Sequence, residues 1–248
     1  MKYISSIKCQ IIANPAWGTL HSNISIHPSN VQIHKCFIPN YLNQIDSFLE
    51  LLDEAELKRA SKYHQKKDSQ RFIIARGMLK FIASQYLGIP AAMVKIEVGN
   101  NKKPFIDAIL SNRLEYNISH SGNWILLAFS LDSIGVDVEQ ILPSFEFEPL
   151  LPGCFSLSEQ EKIQSAPDAR SKFYLFWTRK ESYVKAIAKG LDERLPNIPC
   201  LEGEWELVYE NNTRKDWQVL SFQLDQEHWA SVCFESHTKN ILFLEKDR

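Results

Sequence analysis

Between residues 124 and 139 the hydrophobic pattern changes twice. Trp124 to Ser130 is an apolar run; after Leu131-Asp132-Ser133, Ile134 to Glu139 alternates apolar with polar or small residues. A connector this short between two such segments predicts a hairpin. In the second strand Ile134, Val136 and Val138 share one face, and Gly135, Asp137 and Glu139 the other. Farther on, Ser171 to Lys189 keeps helical spacing, with Phe173, Trp177, Val184 and Ala188 on one stripe and Gly190 as a stop signal. Upstream, Asp68-Ser69-Gln70-Arg71 opens an amphipathic helix that turns Phe72, Ala75, Leu79, Ile82 and Tyr86 inward and ends at Gly88 and Pro90. Gly77, in its middle, costs roughly 1 kcal/mol relative to alanine and so predicts a close neighbour.

The remaining pattern is that of an α+β protein. Glu54 to Tyr63 reads as a helix, and Val31–Ile38 and Val94–Val98 as strands. Glu139 to Pro152 is acidic, proline-bearing and loop-like. Its Phe145, Phe147, Leu150 and Leu151 suit either a core or a docking surface. Ser158 to Ala166 is a short helix with Ser158 and Glu161 spaced as a capping box. Glu204–Tyr209, Trp217–Phe222, Trp229–Glu235 and Asn240–Leu244 read as antiparallel strands. No internal repeat is visible in the letters.

Charge and composition narrow the function. The 248 residues carry a net charge of −2, which gives no strong field for nucleic acid or an anionic membrane. No window has the length and apolarity of a membrane span, and the N-terminus lacks a signal pattern, so a cytoplasmic protein is expected. Five scattered cysteines, without metal-ligand spacing, read as reduced packing residues.

The candidate chemistry lies in the two segments described first. Side chains two apart on a strand have Cα atoms roughly 6.5–7 Å apart, so Asp137 and Glu139 can converge on one cation. Oxygen-only ligands favour a hard ion such as magnesium. By itself the pair is also what the wet face of an edge strand looks like. Glu181 and Lys185 have the spacing of a surface ion pair worth about 0.2–0.5 kcal/mol. They also continue a flank, with Tyr174 and Thr178, beside the apolar stripe. Lys180 falls at the stripe's other margin, where an ammonium is costly unless it snorkels or meets an anion. If the fold joins the segments, three carboxylates and a lysine form a divalent-metal site suited to phosphoryl chemistry on an anionic substrate.

Four motifs, in order, resemble the 4′-phosphopantetheinyl transferases of the broad-specificity, surfactin-synthetase-activating type. Gly135-Val136-Asp137-Val138-Glu139 is similar to that family's G-[IV]-D-[IV]-E strand, and Phe176-Trp177-Thr178-Arg179-Lys180-Glu181-Ser182-Tyr183-Val184-Lys185-Ala186 to its F-W-[ST]-x-K-E-[SA]-x-x-K-A helix. Asn117-Ile118-Ser119-His120-Ser121 resembles its N-[IL]-S-H-[ST] segment, and Lys103-Pro104 its G-K-P segment, with Lys102 where glycine is usual. The resemblance covers about residues 68 to 191.

It implies transfer of phosphopantetheine from coenzyme A to a serine of an apo acyl or peptidyl carrier protein, releasing adenosine 3′,5′-bisphosphate, with Mg²⁺ as cofactor. It assigns the metal to Asp137, Glu139 and Glu181, and catalysis to Glu181 and Lys185, with a water held by the metal as the alternative base. It places coenzyme A on Arg71, Lys103, Ser119, His120, Lys180 and Lys185. Arg59 is a further basic candidate, and Arg76 fits the family's common spacing to Arg71, as a contact or as a structural residue. The implied fold is a pseudo-dimer of two similar α+β halves, each a small, mostly antiparallel sheet packed with a long helix. The halves are expected at 1–122, on the nucleotide side, and 123–248, carrying the metal, in a monomer. A magnesium-dependent phosphodiesterase and an inactive carrier-binding module are the alternatives.

Overall fold

The computed structural model describes residues 3–20, 24–99, 103–107, 113–188, 195–209 and 215–246. Two sheets stack on an apolar layer and each carries one long helix on its outer side. The seven-stranded sheet contains β2 (Trp17–Thr19), β3 (Asn30–Phe37), β4 (Ile96–Val98), β5 (Pro104–Asp107), β6 (Arg113–Ser121), β7 (Trp124–Ser130) and β12 (Asn240–Glu245), in the order β2-β12-β3-β7-β6-β5-β4. The five-stranded sheet contains β1 (Tyr3–Ile11), β8 (Ile134–Gln140), β9 (Gly203–Tyr209), β10 (Trp217–Asp225) and β11 (His228–Glu235), in the order β8-β11-β10-β1-β9. Helices α1 (Ile45–Leu49), α2 (Glu54–Ala60) and α3 (Lys66–Leu87) follow β3; α4 (Leu151–Cys154), α5 (Leu157–Gln164) and α6 (Ala169–Ile187) follow β8.

The alternation read in the sequence decides what the sheets bury. Ile134, Val136 and Val138 are wholly buried against Val31, Ile33, Leu126 and Ala128 from the other sheet. Each such side chain contributes roughly 1.5–3 kcal/mol by leaving water. On the outer side, Ile74, Met78, Leu79 and Ile82 of α3 pack on the seven-stranded sheet. A Cβ on Gly77 would come within 2.2 Å of the Phe48 ring, the close neighbour its mid-helix position predicts.

The chain is a pseudo-dimer, and its repeat is structural. Strand β3, helices α2 and α3, and hairpin β6–β7 correspond to β8, α5, α6 and β10–β11. In each half the first strand pairs antiparallel with the second hairpin strand. The short helices both start with a full capping box, Asp53 with Glu56 and Ser156 with Glu159. The long helices both end on a left-handed residue, Gly88 at φ 64° and Ala188 at φ 55°.

Three expectations need correction. Strands β7 and β8 are not a hairpin: β7 pairs with β3 and β6, and β8 with β11, so Leu131-Asp132-Ser133 crosses between sheets. Both strands are buried on both faces, so neither has the wet face of a lone hairpin. The second capping box opens at Ser156, two residues earlier than the spacing suggested. Strand β12 pairs parallel with β3 and β2, not antiparallel, and β1 lies parallel to β10. Strands β1 and β12 thus exchange sides, and β7 stays with the first sheet, so sheet membership does not divide at residue 122. Gly190 lies outside the described residues. The Glu139–Pro152 segment is split: Phe147 and Leu151 are buried, whereas Phe145 and Leu150 are exposed.

Candidate active site

Strand β8 is an edge strand of its sheet, so one row of its backbone N–H groups has no strand partner. Side chains of β6, at every second position, take that place. Asn117 Oδ1 accepts from Val136 N at 2.9 Å, Ser119 Oγ from Val138 N at 3.3 Å, and Ser121 Oγ from Gln140 N at 3.0 Å. The two hydroxyls then donate onward: Ser119 to Asp137 Oδ1 at 2.9 Å, and Ser121 to Glu139 Oε2 at 3.1 Å. The alternating polar residues of Asn117-Ile118-Ser119-His120-Ser121 thus bridge the two sheets and aim both carboxylates.

Helix α6 supplies the other wall. A Cβ on Gly135 would lie 2.0 Å from Ser182 O and 2.4 Å from Ala186 N, so only glycine lets the helix backbone lie against β8. This contact brings Lys185 Nζ to 2.6 Å from Asp137 Oδ1 and 3.2 Å from Ser119 Oγ. Asp137 is 2% exposed, and its Oδ2 has no hydrogen-bond partner among the described residues. A buried carboxylate oxygen without a donor carries a high desolvation cost.

The charges are crowded. Burial raises Asp137 against the opposing pull of Lys185. Glu139 is pushed up to about 7 by burial, then by the charges of Asp137 and, more weakly, Glu181. Glu181 is raised by burial and then by Asp137. Three oxygen donors that repel one another, one with an unsatisfied lone-pair atom, are a set that could hold a hard divalent cation.

His120 projects from the opposite face of β6, away from its serine neighbours, into a cleft of about 320 Å³ between β6 and α3. Arg59, Tyr63, Arg71, Phe72 and Tyr116 also line it. Arg71 Nη2 donates to Asp68 Oδ1 at 2.8 Å, and the Arg59 guanidinium lies over the Phe72 ring at 5.1 Å. His120 is held below its usual range by burial first and by Arg71 second. A second recess of about 770 Å³ shares Asp68 and Arg71 and runs on to Gln140 and His228. Arg71 and His120 therefore stand together in the cleft, and Asp137, Glu139, Glu181 and Lys185 stand on β8 and α6 across β6 from it, near enough for the Lys185 charge to act on His120.

Three expected ligands of coenzyme A stand elsewhere. Ser119 is committed to Asp137, Lys185 and the β8 backbone. Lys103 is buried, donating to Ile134 O at 2.9 Å and Ala186 O at 3.2 Å, with Glu115 Oε2 at 3.4 Å; it clasps the start of β8 to the end of α6. Burial lowers its pKa. Lys180 is 1% exposed and donates to Glu159 Oε2 at 2.8 Å, Leu195 O at 2.8 Å and Ile198 O at 2.7 Å. It meets the anion its marginal position called for, on the far side of α6 from Asp137. The sequence reading missed the role of Asn117 and the aromatic lining of Tyr63, Phe72 and Tyr116. Period-2 polarity in 117–121 was the signal for the first; nothing local marked the second.

This pairing of a carboxylate-bearing strand and helix with an arginine-lined cleft matches one family in sequence as well. Residues 39–132 match the model of the 4′-phosphopantetheinyl transferase N-terminal domain, and residues 133–233 that of the 4′-phosphopantetheinyl transferase superfamily. The transferase HetI of Nostoc sp. is 30% identical over 179 residues, covering 71% of this chain and 76% of that protein. Sfp of Bacillus subtilis is 24% identical over 210 residues, 82% of this chain and 92% of its own, in keeping with the surfactin-synthetase-activating type. The L-aminoadipate-semialdehyde dehydrogenase-phosphopantetheinyl transferase of Rattus norvegicus is 26% identical over 202 residues, covering 71% and 65%. The chain belongs to the 4′-phosphopantetheinyl transferase superfamily, and it is an enzyme of that class.

Proposed function

We propose that this enzyme transfers 4′-phosphopantetheine from coenzyme A to a serine hydroxyl of an apo acyl or peptidyl carrier protein. The observation that carries the reading is the contact of Lys185 Nζ with the buried Asp137 carboxylate at 2.6 Å, with Glu139 and Glu181 near enough to feel the Asp137 charge. In this reaction the serine oxygen forms a bond to the phosphorus bearing pantetheine, and the bond from that phosphorus to the bridging pyrophosphate oxygen breaks. Adenosine 3′,5′-bisphosphate leaves. Glu181, raised by burial and by Asp137, is suited to take the serine proton, and Lys185 to neutralise or protonate the leaving phosphate.

Asp137, Glu139 and Glu181 would hold Mg²⁺, and the partnerless Asp137 Oδ2 supports that fit. When bound, the ion neutralises charge developing on the pyrophosphate. Arg71 and His120 offer cationic and hydrogen-bonding contacts to coenzyme A phosphates, with Arg59 beside them. Lys103, Ser119 and Lys180 act on the site through the backbone and carboxylates they hold. Family membership sets the transferase above the phosphodiesterase reading.

The five cysteines are all free thiols, which supports a cytoplasmic enzyme. The two halves built into one chain support a monomer. Among the described residues no helix is long and apolar enough to cross a membrane. The test is release of adenosine 3′,5′-bisphosphate from coenzyme A, followed by chromatography with and without an apo carrier. Release only with carrier and magnesium is expected. Release of nucleotide without carrier would turn the assignment to a hydrolase.

A further inference from the structure

We propose that Lys180 is a positioning residue, one copy of a clamp that is built into both halves and sets the rotation of the two long helices, α3 and α6. The proposal rests on the transferase reading of the site. In the C-terminal half the clamp is Lys180 on α6 with Glu159, the capping-box glutamate of α5. In the N-terminal half it is Lys80 on α3 with Glu56, the capping-box glutamate of α2, at 2.7 Å. Lys80 and Lys180 stand at the same remove from the left-handed caps Gly88 and Ala188. Both are almost wholly buried, and both also donate to backbone carbonyls, Leu51 in one half and Leu195 and Ile198 in the other.

An ammonium has three donors, and Lys180 spends all three on those partners, which leaves none for a phosphate. At 3.6 residues per turn, pinning Lys180 on one side of α6 dictates where its neighbours point. Gly135 sets how closely α6 lies on β8, and Lys180 sets which residues face it. Ser182 and Ala186 face Gly135, Lys185 meets Asp137, and Glu181 stands one residue from that face. The other clamp reaches its wall through Glu56 Oε1, which lies 3.5 Å from Arg76 Nε; Arg76 in turn donates to Tyr116 OH at 3.2 Å. Arg76 and Tyr116 line the nucleotide-sized cleft. One device, used twice, therefore orients the carboxylate wall and the arginine wall separately.

This separation is testable in apo protein. Lys180→Met with Glu159→Gln removes both charges of one clamp while keeping a hydrogen-bonding group at the cap; Lys80→Met with Glu56→Gln does the same in the other half. Mn²⁺ binding read by electron paramagnetic resonance reports the carboxylate wall, and metal-free coenzyme A binding by calorimetry reports the arginine wall. The first pair should weaken Mn²⁺ about tenfold or more and coenzyme A, which meets this wall only through Lys185, by no more than about threefold. The second should weaken coenzyme A about tenfold and leave Mn²⁺ within twofold. Near-ultraviolet circular dichroism confirms the fold, and Lys180→Arg, which keeps the charge but changes its reach, should show a smaller loss of Mn²⁺ if the first pair does not fold. A folded Lys180 variant that binds Mn²⁺ like wild type overturns the proposal, as does an equal loss of both ligands in either pair. Wild-type protein that binds neither ligand would instead overturn the transferase reading and the clamp with it.

Discussion

Glu139 carries the site's clearest electrostatic signature. Its ordinary value near 4.5 is raised to about 7, chiefly by burial and then by Asp137. A carboxyl raised in the folded state stabilises it fully below the unfolded value, and that contribution is lost as pH rises through the folded one. Metal-free protein should therefore lose stability between about pH 4.5 and pH 7, by on the order of 3 kcal/mol at most from this group. Thermal melts across that range check it. Glu139→Gln should flatten the loss, and a divalent cation should restore stability at the alkaline end. A stability that rises through that window in wild type, with no change in the variant, would contradict the assignment. At this scale the sequence was informative where one strand or one helix decides the outcome. The facing of Asp137 with Glu139, and of Glu181 with Lys185, follows from local periodicity alone. Lys180 was recognisable as a cation needing an anion, but Glu159 is 21 residues away, and no spacing rule names a partner at that distance. Motif likeness gave Lys103 to a phosphate, whereas burial gives it to two carbonyls and Glu115.

At the scale of elements, the site depends on one close approach and one ladder of side chains. Gly135→Ala puts a Cβ on the backbone of α6, where no side chain can yield, so helix and strand must separate. The substitution should cost about 1–3 kcal/mol, the range of overpacked cores. Turnover should fall more than the melting temperature suggests, because the shift moves Glu181 and Lys185 away from Asp137. Denaturant melts beside a transfer assay measure both, and a variant of wild-type stability and rate would show that the approach is dispensable. Helices α3 and α6 were legible from stripes and stop signals. The pairing of β7 and β8 was not, because an apolar run and a short connector fit either a hairpin or a crossover between sheets. Only the partners available in three dimensions, β3 with β6 and β11, separate the two.

For the molecule as a whole, the exchange of terminal strands is the main fact. Strand β1 joins the sheet of the second half, and β12 pairs with β3 in the first. Neither half can complete its sheet alone, so the chain should unfold in one cooperative transition by calorimetry. Two resolved transitions would show that the halves are energetically separate. The pseudo-dimer came to the reading through family likeness, since its repeat is carried by capping boxes, clamps and left-handed caps rather than by letters. Those features conserve geometry with different residues, Asp53 against Ser156 and Gly88 against Ala188.

The most direct test of the central claim is intact-mass spectrometry of apo carrier proteins incubated with the enzyme, coenzyme A and magnesium. A gain of one phosphopantetheine on at least one carrier is expected. A chelator should abolish it, and Glu181→Gln should reduce it by about 10² or more, the scale of a lost general base. No gain on any carrier, from enzyme that binds both coenzyme A and Mn²⁺, would contradict the transfer reaction, and an undiminished gain with Glu181→Gln would remove that glutamate from the chemistry.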